Sequence, residues 1–592
     1  MHLLNQQYKI TLVTITELSM TFSIKLDKRR IFERKILPFL AFAFIFAIFV
    51  FSCFYIFSSY DQLVKWYIGL NDCFYRNQSW TNNFFSPQIK SYGNAYCLFA
   101  MTLASLLLFY LVKRIKVPDA PAAPYTITID MRDLSLIGRC VLVATLFWIW
   151  GKSLVAPSND EVFSAVYCAG MHPFQTVSYY MHPNNHILFN FLNNIVFHGF
   201  SDKVLTGRFI SLFCYWGVIV ICYYWLTLLL PKKWLAALLT LTMALQFPIW
   251  GFAFQNRGYE LEALCEWVTF ISFFRYCFTE EKKWLYMGVI ATVAGYFCMP
   301  TFLYCHVAII VLAFFYQIVK KQTSYLFWIF LVISLALTYL LYVPCLCFSG
   351  IRSITANQYV TGSANADSLI SNIIPSFKSY LDYCFSWFIM ADNTIDCILF
   401  FVPLTLLFYQ TNKIASFLGW FYFSMWGSCL LLVSIMKILP PLDRTLIWQC
   451  SFTLALSMYS IYLFLSAVAG KIKKATLTMI FFPVLLSSLS INFMLKNKWY
   501  VSIGLCHFDA NTWYQAMNLG VSNIPKGSAV AFSDECFYWY YLCNKYGYVA
   551  SRCAKGNEDY FVKHFKDQFP PGMENIFIPE KTIGDYIIYK RK

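Results

Sequence analysis

Long apolar stretches recur along most of this chain, and each is bounded by charges, prolines or polar clusters. A helix needs roughly 20 apolar residues to cross the hydrocarbon core of a bilayer, and about thirteen stretches approach that length. They lie near residues 36–58, 94–112, 136–155, 204–230, 234–253, 259–278, 284–299, 301–319, 325–347, 395–410, 414–436, 445–468 and 475–494. The pattern predicts a polytopic α-helical membrane protein, in which the two stretches that meet at Met299 and Pro300 form either two spans or one broken helix.

The composition excludes a soluble enzyme. Of the 592 residues, 59% are hydrophobic and 13% are charged, whereas an average soluble protein has roughly 45–50% apolar and about 25% charged residues. A formal net charge of +16 would suggest nucleic acid as the partner of a soluble protein. Here the basic residues cluster in short loops, so the charge indicates membrane topology and no nucleic-acid partner is expected.

These short basic segments fall on one side of the alternating path of spans, as the positive-inside rule requires of cytoplasmic loops. They are KLDKRRIFERK before the first span, KRIK at 113–116, PKKW at 231–234, EEKK at 280–283, KK at 320–321 and GKIKK at 470–474. We therefore expect a protein integral to the cytoplasmic (inner) membrane, with its N-terminal segment 1–35 inside and its C-terminus outside, in the periplasm. The N-terminus lacks the features of a signal peptide, so the first span is expected to act as an uncleaved signal. The longer loops 59–93, 156–203 and 348–394 then face outward.

From about residue 495 the sequence becomes mixed and polar, and short β-type runs such as SAVAF alternate with helical ones. This change predicts a small soluble α/β domain over 495–592, attached to the last span. Four of the 21 cysteines fall here, which allows one or two disulfides if the domain faces an oxidising compartment. They are Cys506, Cys536, Cys543 and Cys553. The chain contains no G-x-x-x-x-G-K-[ST], G-x-G-x-x-G or H-E-x-x-H motif, which argues against ATP-driven pumps and metalloproteases.

An acidic pair, Asp160 and Glu161, stands just beyond the outer end of the third stretch. Partial desolvation at the membrane surface raises the pKa of a carboxylate, which can then accept a proton from an attacking hydroxyl or amine. The alternative is a solvated loop that ends a helix.

The segment HPNNH follows, with His182, Asn184, Asn185 and His186. Adjacent amides offer donors and acceptors that suit a polyhydroxylated sugar or its acceptor, although Asn is also the ordinary residue of caps and turns. The two histidines stand four apart and could share a helix face as metal ligands. Without an acidic or cysteine partner beside them, interface histidines are the commoner case, so no metal site is predicted.

Arginines occur at the outer ends of several spans: Arg208, Arg257, Arg352 and Arg444. A guanidinium matches the geometry of phosphate oxygens, so such residues suit a lipid phosphate at the interface. Snorkelling to lipid headgroups is the competing interpretation for any single arginine.

The order of these motifs resembles a known family. The acidic pair, then PNNH leading into a helix, then GRFIS, then NRGYELEAL opening a span, then a late PPLDRTL, look like the membrane-embedded type C glycosyltransferases. Within them, the pattern resembles the bacterial branch of protein O-mannosyltransferases and aminoarabinose transferases (family 39-like). The resemblance runs from about residue 136 to the end, so 136–494 would be the catalytic membrane domain and 36–135 an extra N-terminal transmembrane hairpin.

This resemblance implies a sugar donor linked to polyprenyl phosphate. It also implies that Asp160 is the catalytic base with Glu161 as its neighbour, and that Arg208, Arg257 and Arg444 lie near the donor phosphate. Direct displacement of that phosphate would invert the anomeric carbon. The acceptor would be a glycan, a lipid or a protein, with membrane lipids around the chain. No cofactor is implied beyond the donor, and a divalent metal is not predicted.

Two other classes remain open. One is a transporter or flippase of a lipid-linked or amphipathic solute, for which GYFCMPTF would be the broken helix. The other is a membrane scaffold with an outer binding domain, in which the acidic pair is dispensable.

Overall fold

The computed structural model describes residues 21–26, 37–71, 73–115, 125–181, 183–320, 325–356, 377, 380, 381, 384, 393–436, 443–469 and 510–592. Its helices are Leu37–Phe57, Tyr60–Ile68, Phe74–Asn83, Pro87–Ile115, Met131–Leu154, Asn159–Ser164, Pro173–Ser178, Ile187–Val196, Lys203–Leu229, Lys233–Ala244, Phe247–Ala253, Tyr259–Thr279, Lys282–Cys298, Leu303–Lys320, Tyr325–Ser349, Arg352–Thr355, Asn393–Phe401, Lys413–Met436, Ile447–Ala469, Ala510–Val521 and Phe537–Lys545. Seven strands accompany them: β1 Thr21–Leu26, β2 Tyr125–Asp130, β3 Ala529–Phe532, β4 Val549–Ser551, β5 Tyr560–His564, β6 Phe577–Ile583 and β7 Tyr586–Arg591.

Within the described residues, eight helices are long and apolar enough to cross a membrane. The candidate spans are Phe39–Phe57, Pro87–Tyr110, Met131–Leu154, Lys203–Leu229, Pro300–Ile318, Tyr325–Ser349, Lys413–Val433 and Ile447–Phe464, where the fifth includes the short 3-10 turn Pro300–Phe302 before helix Leu303–Lys320. The protein is therefore a polytopic α-helical membrane protein, as the sequence predicts. The predicted span at 475–494 and most of the predicted outer loop 348–394 lie outside the described residues.

The predicted span at 234–253 is two helices, Lys233–Ala244 and Phe247–Ala253. Pro248 stands in the first turn of the second helix, a position that its fixed φ and missing N–H favour, so the apolar run restarts here as a new helix. Mean hydropathy does not register this break, because Gln246 and Pro248 are single interruptions in a mostly apolar stretch.

The stretches that meet at Met299 and Pro300 form two helices joined by a tight reversal. Tyr296 and His306 are hydrogen-bonded at 2.9 Å between Oη and Nδ1. Ten residues of continuous helix would separate them by about 15 Å, so the chain folds back here. Met299 is extended, with φ −147° and ψ 141°, and this ends the first helix.

The two ends of the helical bundle differ in what they carry. Strands β1 and β2 pair antiparallel from Thr21 opposite Asp130 to Leu26 opposite Tyr125. Lys233 Nζ contacts Asp130 and Asp133 at 2.6 and 2.9 Å. The N-terminal strand, the start of helix Met131–Leu154 and the basic loop near 232 thus lie at one end, as the pattern of basic loops predicts. The loop that carries Asp160 follows the other end of that helix.

The N-terminal hairpin, helices Leu37–Phe57 and Pro87–Ile115, is closed by two short helices and packs through a cluster of aromatic rings. Trp80 stacks on Tyr67 at 4.2 Å between ring centroids, and Tyr67 stacks on Phe348 at 4.8 Å. Trp80 Nε1 also donates to the Phe348 carbonyl at 2.7 Å. The hairpin therefore packs against the end of helix Tyr325–Ser349, on the side of the bundle that carries Asp160.

The C-terminal domain, described over 510–592, is an α/β unit with a five-stranded sheet, as predicted. The strand order is β4-β3-β5-β7-β6, with β3 parallel to both β4 and β5 and the remaining pairs antiparallel. Its helices cover one face, where Trp539 is fully buried. Among the cysteines considered for disulfides, Cys536 and Cys543 are free thiols, Cys553 Sγ donates to the Ala554 carbonyl at 3.6 Å, and Cys506 lies outside the described residues.

Candidate active site

The candidate site is built on the loop that follows helix Met131–Leu154. Its first element is the short helix Asn159–Ser164, which we call the Asp160 helix. Ser158 accepts a hydrogen bond from the Glu161 amide, and the Glu161 carboxylate accepts one from the Ser158 amide. This capping box, written in the sequence as S-x-x-E, fixes where the helix begins and therefore where both carboxylates stand.

Glu161 is fully buried and forms a bidentate ion pair with Arg208, which is also buried. Arg208 Nε and Nη2 lie 2.8 and 2.9 Å from the two carboxylate oxygens. The backbone amide of Asn256 donates to the same carboxylate at 2.7 Å. With the Ser158 amide this makes four donors, so the charges of Glu161 and Arg208 are satisfied within the protein. The two side chains are therefore paired with each other, and the roles predicted for them, Glu161 beside the base and Arg208 near the donor phosphate, stay predictions.

Asp160 points the other way, and its side chain is 28% exposed. It accepts a hydrogen bond from Asn184 Nδ2 at 2.9 Å, and one carboxylate oxygen lies 3.8 Å from Arg257 Nη2. Burial by itself raises the pKa of this carboxyl, but Arg257, the Asn184 hydrogen bond and Arg444 together hold the pKa below its ordinary value. The sequence-based expectation of a raised pKa is therefore wrong for the protein alone, because it took no account of these cations.

Arg257 is 3% exposed and lies in the turn between helices Phe247–Ala253 and Tyr259–Thr279. Its guanidinium donates to Asn184 Oδ1 at 2.9 Å, to Tyr259 Oη at 3.3 Å and to Ser164 Oγ at 3.4 Å. Asn184 therefore bridges the carboxylate and the cation: it donates to Asp160 and accepts from Arg257. Two sequence-predicted residues, one acidic and one basic, meet through a third that was predicted to bind sugar.

Asn185 and His186 are buried and bonded within the protein. Asn185 Nδ2 donates to the carbonyl oxygens of Thr176 and Tyr179, at 2.9 and 2.5 Å. His186 Nδ1 accepts from the Gly258 amide at 2.7 Å. Burial, Arg257 and Arg444 hold the pKa of His186 well below its ordinary value, so its ring is neutral. Both side chains are therefore hydrogen-bonded within the protein, and their predicted role in binding sugar or acceptor stays a prediction.

Two further predicted residues complete the comparison with the sequence. Arg444 lies in the short turn Asp443–Thr445 before helix Ile447–Ala469, and its charge acts on both Asp160 and His186. His182 lies outside the described residues. Among the described residues, no group of three His, Cys, Asp or Glu side chains is arranged to hold a metal ion.

Sequence reasoning missed Asn256, which lies next to Arg257 in QNRGYELE. Its side chain donates to the Glu161 carbonyl at 2.9 Å, and its amide donates to the Glu161 carboxylate. Gly207 lies directly against the Asn256 side chain, where a Cβ would overlap Oδ1. The glycine before Arg208 was the available signal, since a glycine inside a helix marks a close approach.

The arrangement places one ionised carboxylate beside a permanently charged guanidinium at the edge of the helical bundle. Asp160 is the partly exposed member of the acidic pair, and Arg257 carries three hydrogen bonds on its Nη atoms. Chemically, such a pair can accept a proton from a nucleophile and hold an anion next to it.

Comparison with known proteins gives structural neighbours but no sequence relative. No model of a known protein family matches the chain, and no curated protein sequence matches it. Among solved structures it is similar to the oligosaccharyltransferase AglB from Archaeoglobus fulgidus, in complex with an inhibitory peptide and a dolichol-phosphate, at 11% identity and a TM-score of 0.39 over 73% of this chain and 69% of AglB. It is also similar to the arabinosyltransferase EmbB from Mycobacterium smegmatis, at 11% identity and a TM-score of 0.36 over 83% of this chain and 49% of EmbB, so it spans about half the length of that enzyme.

Proposed function

We propose that this protein is an inverting glycosyltransferase. It moves a sugar from a polyprenyl-phosphate-linked donor to an acceptor on the outer face of the membrane, with Asp160 as the general base. The observation that carries the proposal is the Asp160–Asn184–Arg257 arrangement. It holds an ionised, partly exposed carboxylate within 3.8 Å of a buried guanidinium at the end of a membrane-embedded bundle. The order of the motifs, which resembles that of type C glycosyltransferases, supports the same assignment.

The reaction needs one proton acceptor and cations beside a phosphate. The acceptor hydroxyl or amine attacks the anomeric carbon, its proton passes to Asp160, and the bond from that carbon to the phosphate oxygen breaks. Polyprenyl phosphate leaves as an anion, so no strong general acid is required when cations offset its charge. Attack opposite the phosphate inverts the anomeric carbon.

Residue roles follow from these contacts. Arg257 and Arg444 are proposed to face the donor phosphate, since both act electrostatically on Asp160. Asn184 orients the carboxylate and is available to sugar or acceptor hydroxyls. Glu161 and Arg208 hold the Asp160 helix against the bundle through their bidentate pair.

The test is mass spectrometry of envelope lipids, glycans and glycoproteins from cells that carry wild-type protein, Asp160→Asn, Arg257→Gln or no protein. A sugar mass that is absent without the protein and absent with Asp160→Asn supports transfer and identifies the acceptor. The matched control is Asp202→Asn. Asp202 is a carboxylate of the same loop that caps helix Lys203–Leu229 through the Leu205 amide at 3.0 Å, and Asn caps about as well as Asp.

The outcome that contradicts the proposal is equally specific. If Asp160→Asn accumulates normally and the envelope keeps the same sugar mass as in wild type, Asp160 is not the base. If the protein-free cells also show no missing sugar but accumulate a lipid-linked intermediate on one side of the membrane, transport replaces transfer as the function.

A further inference from the structure

A π-helical turn, Ala165–Ala169, continues the Asp160 helix without a break. A π-helix bonds each amide to the carbonyl five residues back, and such turns are rare and frequent at functional sites. Gly170 ends it at a point where a Cβ would lie 2.7 Å from the Ala165 carbonyl oxygen. Because the turn and the Asp160 helix form one continuous segment, contacts made by the turn can act on the position of Asp160.

Three consecutive carbonyls of the turn accept hydrogen bonds from three different parts of the protein. Val166 O accepts from Arg552 of the C-terminal domain at 3.3 Å, and Tyr167 O accepts from Arg76 of the N-terminal hairpin at 2.6 Å. Cys168 O accepts from Thr176 Oγ1 of the same loop at 2.8 Å. We infer that Arg76 and Arg552 are positioning residues for Asp160, an inference that rests on the proposed function.

Arg76 is built into the protein as a fixed support. It is 3% exposed, and its guanidinium carbon lies 3.4 Å from the centre of the Tyr179 ring, a cation–π contact. Tyr167, whose carbonyl accepts from Arg76, also contacts the C-terminal domain: its Oη donates to the Asp534 carbonyl at 2.7 Å. One residue of the turn thus ties the hairpin to the domain.

Arg552 completes the support from the other side. Its Nη1 also lies 3.4 Å from Gly170 O, so it spans the turn from Val166 to its end. The domain is joined to the start of the Asp160 helix as well: Tyr538 Oη donates to Pro157 O at 2.6 Å, and Asn511 Oδ1 accepts from the Ala156 amide at 2.9 Å. The C-terminal domain therefore contacts the chain both before and after the Asp160 helix.

Neither arginine reaches the reacting groups. Tyr167 lies seven residues beyond Asp160, which is about 10 Å along a helix, so the action of Arg76 on the carboxylate passes through the backbone. Displacement of a catalytic group by about 1 Å can cost on the order of 100-fold in rate. The N-terminal hairpin thereby gains a role, since the short helix Phe74–Asn83 that helps to close it supplies one of the two guanidinium groups.

The first experiment measures the support directly, by hydrogen–deuterium exchange of the full-length protein in lipid nanodiscs. In Arg76→Gln and Arg552→Gln, amides within 158–169 should exchange on the order of tenfold faster, because each variant removes a charged hydrogen-bond donor. The control is Arg591→Gln, which removes another donor to a carbonyl of the C-terminal domain, Asn557 O at 3.2 Å, and should leave 158–169 unchanged. Wild-type exchange in both test variants overturns the inference.

The second experiment measures sugar transfer to the envelope by the same variants at equal protein abundance. Transfer should fall roughly 10- to 100-fold in both glutamine variants. Arg76→Lys and Arg552→Lys keep a charge and a donor and should recover part of it. Faster exchange at 158–169 with full transfer overturns the positioning role. Failure of the proposed function is read separately, from full transfer by Asp160→Asn.

Discussion

Substitutions of the two adjacent carboxylates should have different effects. Glu161→Gln should lower the stability of the protein, whereas Asp160→Asn should abolish its activity and leave its stability nearly unchanged. Glu161→Gln keeps the side-chain volume but leaves the buried Arg208 guanidinium without its counter-charge, and it presents an amide group to donors that need an acceptor. Breaking a buried pair by removing one partner costs about 3–5 kcal/mol. Asp160→Asn removes a charge that is 28% exposed and 3.8 Å from its cation, so about 1 kcal/mol or less is expected.

The assay is thermal unfolding of the full-length protein in detergent at a fixed scan rate, followed by intrinsic fluorescence. Glu161→Gln should lower the apparent Tm by roughly 2–4 °C, whereas Asp160→Asn should stay near wild type while losing sugar transfer. A double-mutant cycle with Arg208→Gln isolates the pair. The double variant should be less destabilised than the sum of the single variants, since no charge is then left alone.

One pattern of results would refute this reasoning. If Glu161→Gln unfolds at the wild-type temperature and abolishes transfer, while Asp160→Asn is destabilised and active, the roles of the two carboxylates are reversed. An additive cycle would also count against the pair, because two groups in a bidentate contact must couple.

Three other predictions follow from the same contacts. Burial, with Asp567 and Glu535 nearby, raises the pKa of Asp534 to about 6 from an ordinary value of 3.8. Ionisation of Asp534 therefore costs the folded state free energy, a cost that is absent below about pH 4 and complete above about pH 6. In thermal unfolding, Asp534→Asn should be more stable than wild type by up to about 3 kcal/mol at pH 7.5 and equally stable at pH 4. Gly258→Ala would place a Cβ 2.7 Å from the His186 ring, so sugar transfer should be lost and the free energy of unfolding should fall by about 1–3 kcal/mol. Gly199→Ala has open space around its Cβ and should change neither quantity. If the bound donor raises the pKa of Asp160, the acid limb of the pH profile of kcat, which reports the complex, should lie at higher pH than that of kcat/KM, which reports the free enzyme. The measurement is the pH dependence of both constants in purified protein with a lipid-linked donor, and coincident acid limbs would contradict this effect of the donor on the base.

The architecture was largely predictable, because membrane spans are specified by length and apolar content. The helices Met131–Leu154 and Lys203–Leu229 lie close to their predicted bounds of 136–155 and 204–230. The break before Phe247–Ala253 was not predicted, because Gln246 and Pro248 are single interruptions in a mostly apolar stretch. The C-terminal α/β domain was predicted from alternation of β-type and helical runs, which does not depend on distant contacts.

The site was predictable as a set of residues but not as a set of roles. Asp160 and Glu161 are neighbours in the sequence, yet a helix turns them about 100° apart, and their partners lie far along the chain: Arg208 for one, Asn184 and Arg257 for the other. Which carboxylate pairs with which arginine depends on the tertiary structure and does not follow from the spacing of these residues in the sequence. Arg76 gave no signal at all, because nothing in its local sequence shows that it lies beneath a tyrosine ring.

The low pKa of Asp160 and its proposed role as a base are compatible only if donor binding changes the field around it. In the protein alone, Arg257, Asn184 and Arg444 stabilise the anion, and such a carboxylate is a weak proton acceptor. Under the proposed function, a donor phosphate held by the same arginines would take up part of their charge and add a negative charge of its own, and both effects would raise the pKa of Asp160. The carboxylate would then become basic only with the donor in place. When polyprenyl phosphate leaves, the arginines would again favour the anion, and the proton taken from the acceptor would be released. The buried pair Glu161–Arg208 keeps a full carboxylate–guanidinium contact throughout, so the helix stays fixed while the charge on its neighbour changes.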